Sequence, residues 1–152
     1  MRLTTKGRYA VTAMIDIALH RHRGPVSVTE VAERQAISGA YLEQLFSKLK
    51  RAGLLQSVRG PGGGYELARP LGEVTVSDII AAVGEGVDAT RCHGAADCHD
   101  GAMCLTHDLW SALSNHIDQF LSSVTLDALL ADRDLHPSGG RDDRQLIHTR
   151  LL

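Results

Sequence analysis

Residues 60–64 read Gly60-Pro61-Gly62-Gly63-Gly64, and no other stretch restricts the fold more. Proline removes a backbone donor and consecutive glycines raise the entropic cost of order, so neither a helix nor a central strand can run through this segment. Its flanks decide its meaning. Leu54-Leu55-Gln56-Ser57-Val58-Arg59 before it and Tyr65-Glu66-Leu67-Ala68 after it are short runs of strand formers, which predicts a β-hairpin with a glycine-rich turn.

Upstream of the hairpin the apolar periodicity is helical. Val11, Met14, Ile15, Ala18 and Leu19 predict a first helix from about Lys6 to His20, ended by Gly24-Pro25. Ser27-Val28-Thr29-Glu30 has the form of a capping box and opens a short second helix to about Gln35. After Ala36-Ile37, Ser38 can cap a third helix whose Leu42, Leu45, Phe46 and Leu49 form one stripe, with Gly53 placed to terminate it. Three helices followed by a hairpin, with a tight connection between the second and third, is the order of a winged helix-turn-helix. Pro70 closes that module.

Downstream, Thr75-Val76-Ser77-Asp78 can cap a fourth helix through Ile79, Ile80 and Val83. A Gly- and Ala-rich loop from Asp88 to Leu105 follows and contains all three cysteines. Leu109, Leu113, Ile117, Phe120 and Leu121 then predict a long fifth helix to about Ser122, able to bury its stripe against a second copy of itself. A last short helix is expected over Leu126 to Leu130, and the polar segment from Asp132 to Leu152 is expected to be mobile. The expected fold is therefore mainly α with a small β-hairpin wing. Its expected divisions are a DNA-binding domain over 1–70, a metal-binding loop with dimerisation helices over 71–131, and a tail over 132–152.

Charge follows the same division. Residues 1–69 hold eleven Lys and Arg against five Asp and Glu, a net of +6, while the remainder carries −8, so the overall −2 hides a basic front and an acidic back. A basic helix-turn-helix points to a polyanion. The third helix would enter the major groove, and its face opposite the apolar stripe offers Ser38, Tyr41, Glu43, Gln44, Ser47 and Lys48 to base edges and phosphates. Arg59, with Gly60 and Pro61 at the wing, suits insertion of a guanidinium into a narrow minor groove.

Cys92, Cys98, Cys104 and His107 are separated by five, five and two residues on the loop. Three thiolates and an imidazole can close one metal site. Structural zinc loops favour tighter spacing, whereas wide loops of small residues such as Gly94, Ala95, Ala96, Gly101 and Ala102 can wrap a larger inorganic core and direct N–H groups at its sulfurs. Spacing alone leaves zinc and iron-sulfur both open, and a zinc-stabilised interaction module is the alternative to a cluster sensor. His93 and His99 each follow a cysteine and are further nitrogen candidates.

Several classes are excluded. At 152 residues the chain is too short for a large multidomain enzyme, and Cys104 with His107 lacks an evident orienting acid or oxyanion site for hydrolysis. No apolar run approaches the roughly 20 residues of a membrane span. The N-terminal Met1-Arg2-Leu3-Thr4-Thr5-Lys6-Gly7 leads into an amphipathic segment without a signal-peptide core, so a cytoplasmic location is expected.

Four segments carry a resemblance: Met1-Arg2-Leu3-Thr4-Thr5-Lys6-Gly7-Arg8-Tyr9-Ala10-Val11, Tyr41-Leu42-Glu43-Gln44-Leu45-Phe46, Val58-Arg59-Gly60-Pro61-Gly62-Gly63-Gly64-Tyr65 and Val87-Asp88-Ala89-Thr90-Arg91-Cys92. Over about residues 1–130 the chain resembles the IscR family of bacterial iron-sulfur cluster regulators. The resemblance implies a homodimer that binds duplex operator DNA and carries a [2Fe-2S] cluster on Cys92, Cys98, Cys104 and His107, with the iron-sulfur assembly machinery as cluster donor. It further implies that the cluster-bound form represses the genes for cluster assembly, while the cluster-free form recognises a different class of site. Gly39-Ala40 departs from the family, which usually offers hydroxyl groups there.

Overall fold

A computed structural model describes residues 3–134; the expected mobile tail lies, beyond Asp134, outside the described residues. Helix α1 (Thr5–His20) starts where the Thr4 hydroxyl accepts the Lys6 N–H at 3.3 Å, and a 3-10 turn at Arg21–Arg23 ends it. In α2 (Val28–Gln35) the capping box forms in both directions: Ser27 Oγ accepts from Glu30 N at 3.2 Å and Glu30 Oε2 accepts from Ser27 N at 2.7 Å. The turn into α3 (Gly39–Arg51) passes through Ala36 in the left-handed region, and the Ser38 hydroxyl accepts the Tyr41 N–H at 3.4 Å.

Strands β1 (Leu55–Val58) and β2 (Gly64–Leu67) pair antiparallel with Leu55 opposite Leu67 and Val58 opposite Gly64. The hairpin is tied down by a contact that local sequence does not reveal. Val26 and Tyr65 exchange backbone bonds at 2.9 and 2.7 Å, which brings the segment before α2 alongside β2. A Cβ on Gly64 would lie 2.5 Å from Val26 backbone atoms, and one on Gly63 would lie 2.3 Å from the Val58 carbonyl. Gly63 is therefore required by the turn itself, and Gly64 by the close approach of Val26.

Beyond a 3-10 turn at Leu71–Glu73 come α4 (Val76–Ala82), α5 (His107–Ser123) and α6 (Leu126–Asp134). The lead-ins to α4 and α6 pair with each other, through Val76 N to Val124 O at 2.9 Å and Leu126 N to Val74 O at 3.0 Å. Two sequence boundaries shift. Helix α5 begins at His107, ahead of its apolar stripe, and α6 runs past Leu130 to Asp134, into the segment expected to be mobile. Leu126 and Leu130 are buried against the rest of the chain, and that tertiary docking holds the short helix.

The hydrophobic core is continuous across residue 70. Met14 and Ile17 of α1, Leu42, Phe46 and Leu49 of α3, Ile79 of α4 and Leu126 of α6 are all fully buried in one cluster. At the α1–α2 contact, the Asp16 side chain is wholly buried and receives Arg34 Nη2 at 2.7 Å and Gln35 Nε2 at 2.7 Å. That pairing satisfies a carboxylate which would otherwise be costly in the interior. Helix α5 is different, for His107 is its one buried residue. Leu109 and Phe120 are exposed, and Leu113, Ile117 and Leu121 are only half-buried, so the stripe meets little within the chain. Among the described residues no helix is long and apolar enough to cross a membrane.

Candidate metal centre and nucleic-acid interface

The loop between α4 and α5 is folded by its own polar side chains. Asp88 Oδ1 accepts both the backbone N–H and the hydroxyl of Thr90, at 2.7 and 2.6 Å, and Thr90 Oγ1 accepts the Gly94 N–H at 2.8 Å. These bonds from Thr90 hold the Asp88 carboxyl below its ordinary range. The Ala89 N–H donates to Ser114 Oγ at 2.8 Å, fastening the loop to α5. His93, Gly94, Ala96, Asp100 and Gly101 all have positive φ, so the backbone turns back on itself between the cysteines.

That path brings three of the four candidate ligands together. His107, fixed as the first residue of α5, places Nδ1 3.4 Å from Cys92 Sγ and 3.8 Å from Cys98 Sγ, and these donor atoms all lie within 4.8 Å of one another. Cys104 is nearby but outside this group: its N–H donates to Cys98 Sγ at 3.1 Å, and its own sulfur lies 3.9 Å from the Thr106 hydroxyl. His93 and His99 do not join. His93 Nδ1 stands 3.6 Å from Asp88 Oδ2 and the ring is almost fully exposed, while His99 sits in an exposed turn paired with Ala102.

The thiols are differentiated by their surroundings. Burial works to raise Cys92, but bonds from the Ala96 and Gly94 backbone, Cys98 and His107 outweigh it and bring it to about 7. The bond between Cys98 and Cys104 raises Cys98 and lowers Cys104, so it favours the thiolate on Cys104. Main-chain N–H groups directed at sulfur, three thiols and one imidazole are a donor set suited to an iron-sulfur cluster. The loop's small residues permit those N–H groups to approach, as the sequence suggested. Thr90 and the Ala96 amide are contributors that ligand spacing could not reveal.

In the helix-turn-helix, the exposed face of α3 carries Glu43, Gln44 and Ser47, with Lys48 half-buried at its edge. Ser38 is occupied as the helix cap, and Tyr41 packs edge-on against Tyr9 with ring centres 6.0 Å apart. Lys50 Nζ donates to Ser57 Oγ at 2.7 Å, linking α3 to the wing. Arg59, Gly60 and Pro61 form the exposed tip of the hairpin.

Comparison with known proteins gives a consistent picture. The family model Rrf2, described as an iron-dependent transcriptional regulator, matches residues 3–132. An HTH-type transcriptional regulator IscR from Photobacterium profundum is 55% identical over 151 residues, covering 99% of this chain and 88% of the relative. The protein of the same description from Photorhabdus laumondii is 54% identical over 143 residues, covering 94% and 87%. Among solved structures, T. potens IscR matches with a TM-score of 0.75 at 39% identity, covering 92% of this chain and 94% of that one. The global cysteine regulator CymR of B. subtilis matches with a TM-score of 0.75 at 32% identity, over 86% and 97%.

Proposed function

This chain belongs to the Rrf2 family of iron-dependent transcriptional regulators, and on that premise we propose that it is a homodimeric DNA-binding sensor whose operator choice follows the occupancy of a [2Fe-2S] cluster. It is a transcriptional regulator and not an enzyme. The observation that supports the sensor most is the convergence of Cys92, Cys98 and His107 at the start of α5, on a chain that also carries a winged helix-turn-helix.

In this reading residues 1–70 contact duplex DNA and residues 71–131 hold the cluster and the dimer interface. Cys92, Cys98, Cys104 and His107 are the ligands. When bound, the cluster supplies fixed distances between the four donors and a change in local charge. The chain's own residues carry that constraint onward. His107 transmits the loop's position to α5 because it is the first residue of the helix, and Ala89 does so through Ser114. Helix α5 offers Leu109, Leu113, Ile117, Phe120 and Leu121 to the same helix of a second copy, which sets the separation of the two α3 helices. A difference in that separation between the two forms of the protein would bias site choice.

At the DNA, Glu43 and Gln44 read base edges, Ser38, Tyr41, Ser47 and Lys48 face the backbone, and Arg59 with Gly60 and Pro61 enters the minor groove. The regulated genes are those for iron-sulfur assembly, and the assembly machinery is the cluster donor. Anaerobic purification followed by absorption spectroscopy, sedimentation and operator footprinting tests the proposal. A coloured dimer whose footprint changes when the cluster is removed is expected. A colourless protein that takes up no cluster on reconstitution, or a monomer on DNA, overturns it.

A further inference from the structure

The donor atoms have a spacing that fits a second type of occupant. For tetrahedral zinc, with Zn–S of about 2.3 Å and Zn–N of about 2.05 Å, a sulfur and a nitrogen on the same ion are about 3.6 Å apart. The two sulfur-to-Nδ1 distances here, 3.4 and 3.8 Å, lie on either side of that value, and the third edge of the triangle is under 4.8 Å. A single ion draws its ligands to one centre, whereas a two-iron core distributes them over two. Cys104 lies beside Cys98 but outside the triangle, with its N–H on the Cys98 sulfur and its own sulfur near the Thr106 hydroxyl.

Charge favours the same occupant. Two thiolates and a neutral imidazole around a divalent cation make a neutral site. That suits a loop in which His107 is 7% exposed and both cysteines are half-buried. Soft sulfur ligands select thiophilic ions such as zinc over magnesium or calcium.

We propose that the cluster-free protein binds one thiophilic divalent cation of the zinc class through Cys92, Cys98 and His107, with Cys104 dispensable. This rests on the loop being the metal site of the sensor, and it adds a second state to that site. The ion and the cluster need the same three side chains, so they exclude one another. Zinc excess would then hold the protein in the cluster-free class of behaviour.

The experiment uses the full chain, purified anaerobically and stripped of metal, with Co²⁺ as the spectroscopic probe and Zn²⁺ as the competitor. Stoichiometric Co²⁺ binding with intense tetrahedral ligand-field bands and sulfur charge-transfer absorption is expected, lost on adding Zn²⁺. Cys104→Ser should keep Co²⁺ affinity within about threefold of the parent while failing to retain a reconstituted cluster, whereas Cys92→Ser and His107→Ala should each weaken Co²⁺ by about tenfold or more. Protein preloaded with Zn²⁺ should develop no cluster absorption until a chelator is added.

An octahedral Co²⁺ spectrum, or loss of Co²⁺ binding in Cys104→Ser, overturns the proposal. Parent protein that takes up the cluster but no Co²⁺ overturns this proposal alone. Parent protein that takes up Co²⁺ but no cluster overturns the cluster sensor and leaves the zinc site standing. Circular dichroism of each stripped variant separates loss of a ligand from loss of the fold.

Discussion

Glu85, just beyond α4, reaches back to the start of α1, where its Oε2 accepts the Gly7 backbone N–H at 3.0 Å and its Oε1 accepts the Thr4 hydroxyl. A carboxylate at a helix N-terminus meets unpaired N–H groups and the positive end of the helix dipole. Gly7 makes the approach possible, since a Cβ there would lie 2.5 Å from that oxygen. The segment that leads to the metal loop is thereby anchored to the first helix of the DNA-binding module.

Glu85→Ala is expected to lower stability by about 1–2 kcal/mol, as for the loss of a helix cap. Gly7→Ala should displace the carboxylate but recover about 1 kcal/mol of helix propensity. In a Gly7→Ala background, Glu85→Ala should therefore cost almost nothing. Urea unfolding of the four proteins in this cycle measures the coupling, and strictly additive effects would contradict the contact.

Arg34→Met leaves the buried Asp16 carboxylate with Gln35 and, at 3.5 Å, His20. The expected loss is roughly 2–3 kcal/mol, less than for a fully buried pair because the Arg34 side chain is 30% exposed. Asp16→Asn should cost a comparable amount, since the amide keeps one acceptor but turns an NH2 toward the Arg34 or Gln35 donors that the second carboxylate oxygen accepts from. Equilibrium denaturation of both variants provides the comparison.

Glu30 contributes an acid-dependent share of stability. The Ser27 backbone and hydroxyl bonds hold its carboxyl below the ordinary 4.5. A depressed carboxyl stabilises the fold above its unfolded-state value, and that contribution disappears as pH falls through the lower folded value. Glu30→Gln keeps a side chain able to complete the capping box, so it should flatten this part of the stability profile below about pH 4.5 with little change at neutral pH. An unaltered acid limb in denaturation curves would show that Glu30 does not contribute it.

On DNA, Arg59→Ala should weaken every operator that admits the wing and reduce the salt slope by about 1. Gln44→Ala should instead relax preference at particular base pairs, by about 1–3 kcal/mol if its contact is bidentate. Binding across a panel of single-base operator variants, at several salt concentrations, distinguishes the two patterns. Identical uniform losses would mean that wing and helix have been given the wrong roles.

For the cluster, His107→Ala should abolish stable retention after anaerobic reconstitution, while His93→Ala and His99→Ala retain the parent's visible spectrum. The geometry behind this is the approach of Nδ1 to two sulfurs, against a His93 ring turned toward Asp88. Retention by His107→Ala together with loss in either other variant would reassign the nitrogen ligand.

Local chemistry made much of the molecule legible from its sequence. The Ser27 and Glu30 box, the Leu42-Leu45-Phe46-Leu49 stripe and the glycine-rich turn are written in residues only a few positions apart, where helix and hairpin periodicities apply directly. The candidate ligands Cys92, Cys98 and His107 were legible because cysteines and a histidine are rare and lie within 16 residues. Spacing left His93, His99 and His107 open, and tertiary structure shows that His107 faces the sulfurs, because backbone turns with positive φ at His93, Gly94 and Ala96, together with the start of α5, set side-chain directions that spacing does not encode. It also decided the bonds from Glu85 to Gly7, Arg34 to Asp16 and Val26 to Tyr65, each joining segments separated by 18 or more residues. Such partners have no periodic signature. They are selected by the packing of the completed core, which determines the buried N–H groups and carboxylates that must be satisfied and the neighbours available to satisfy them.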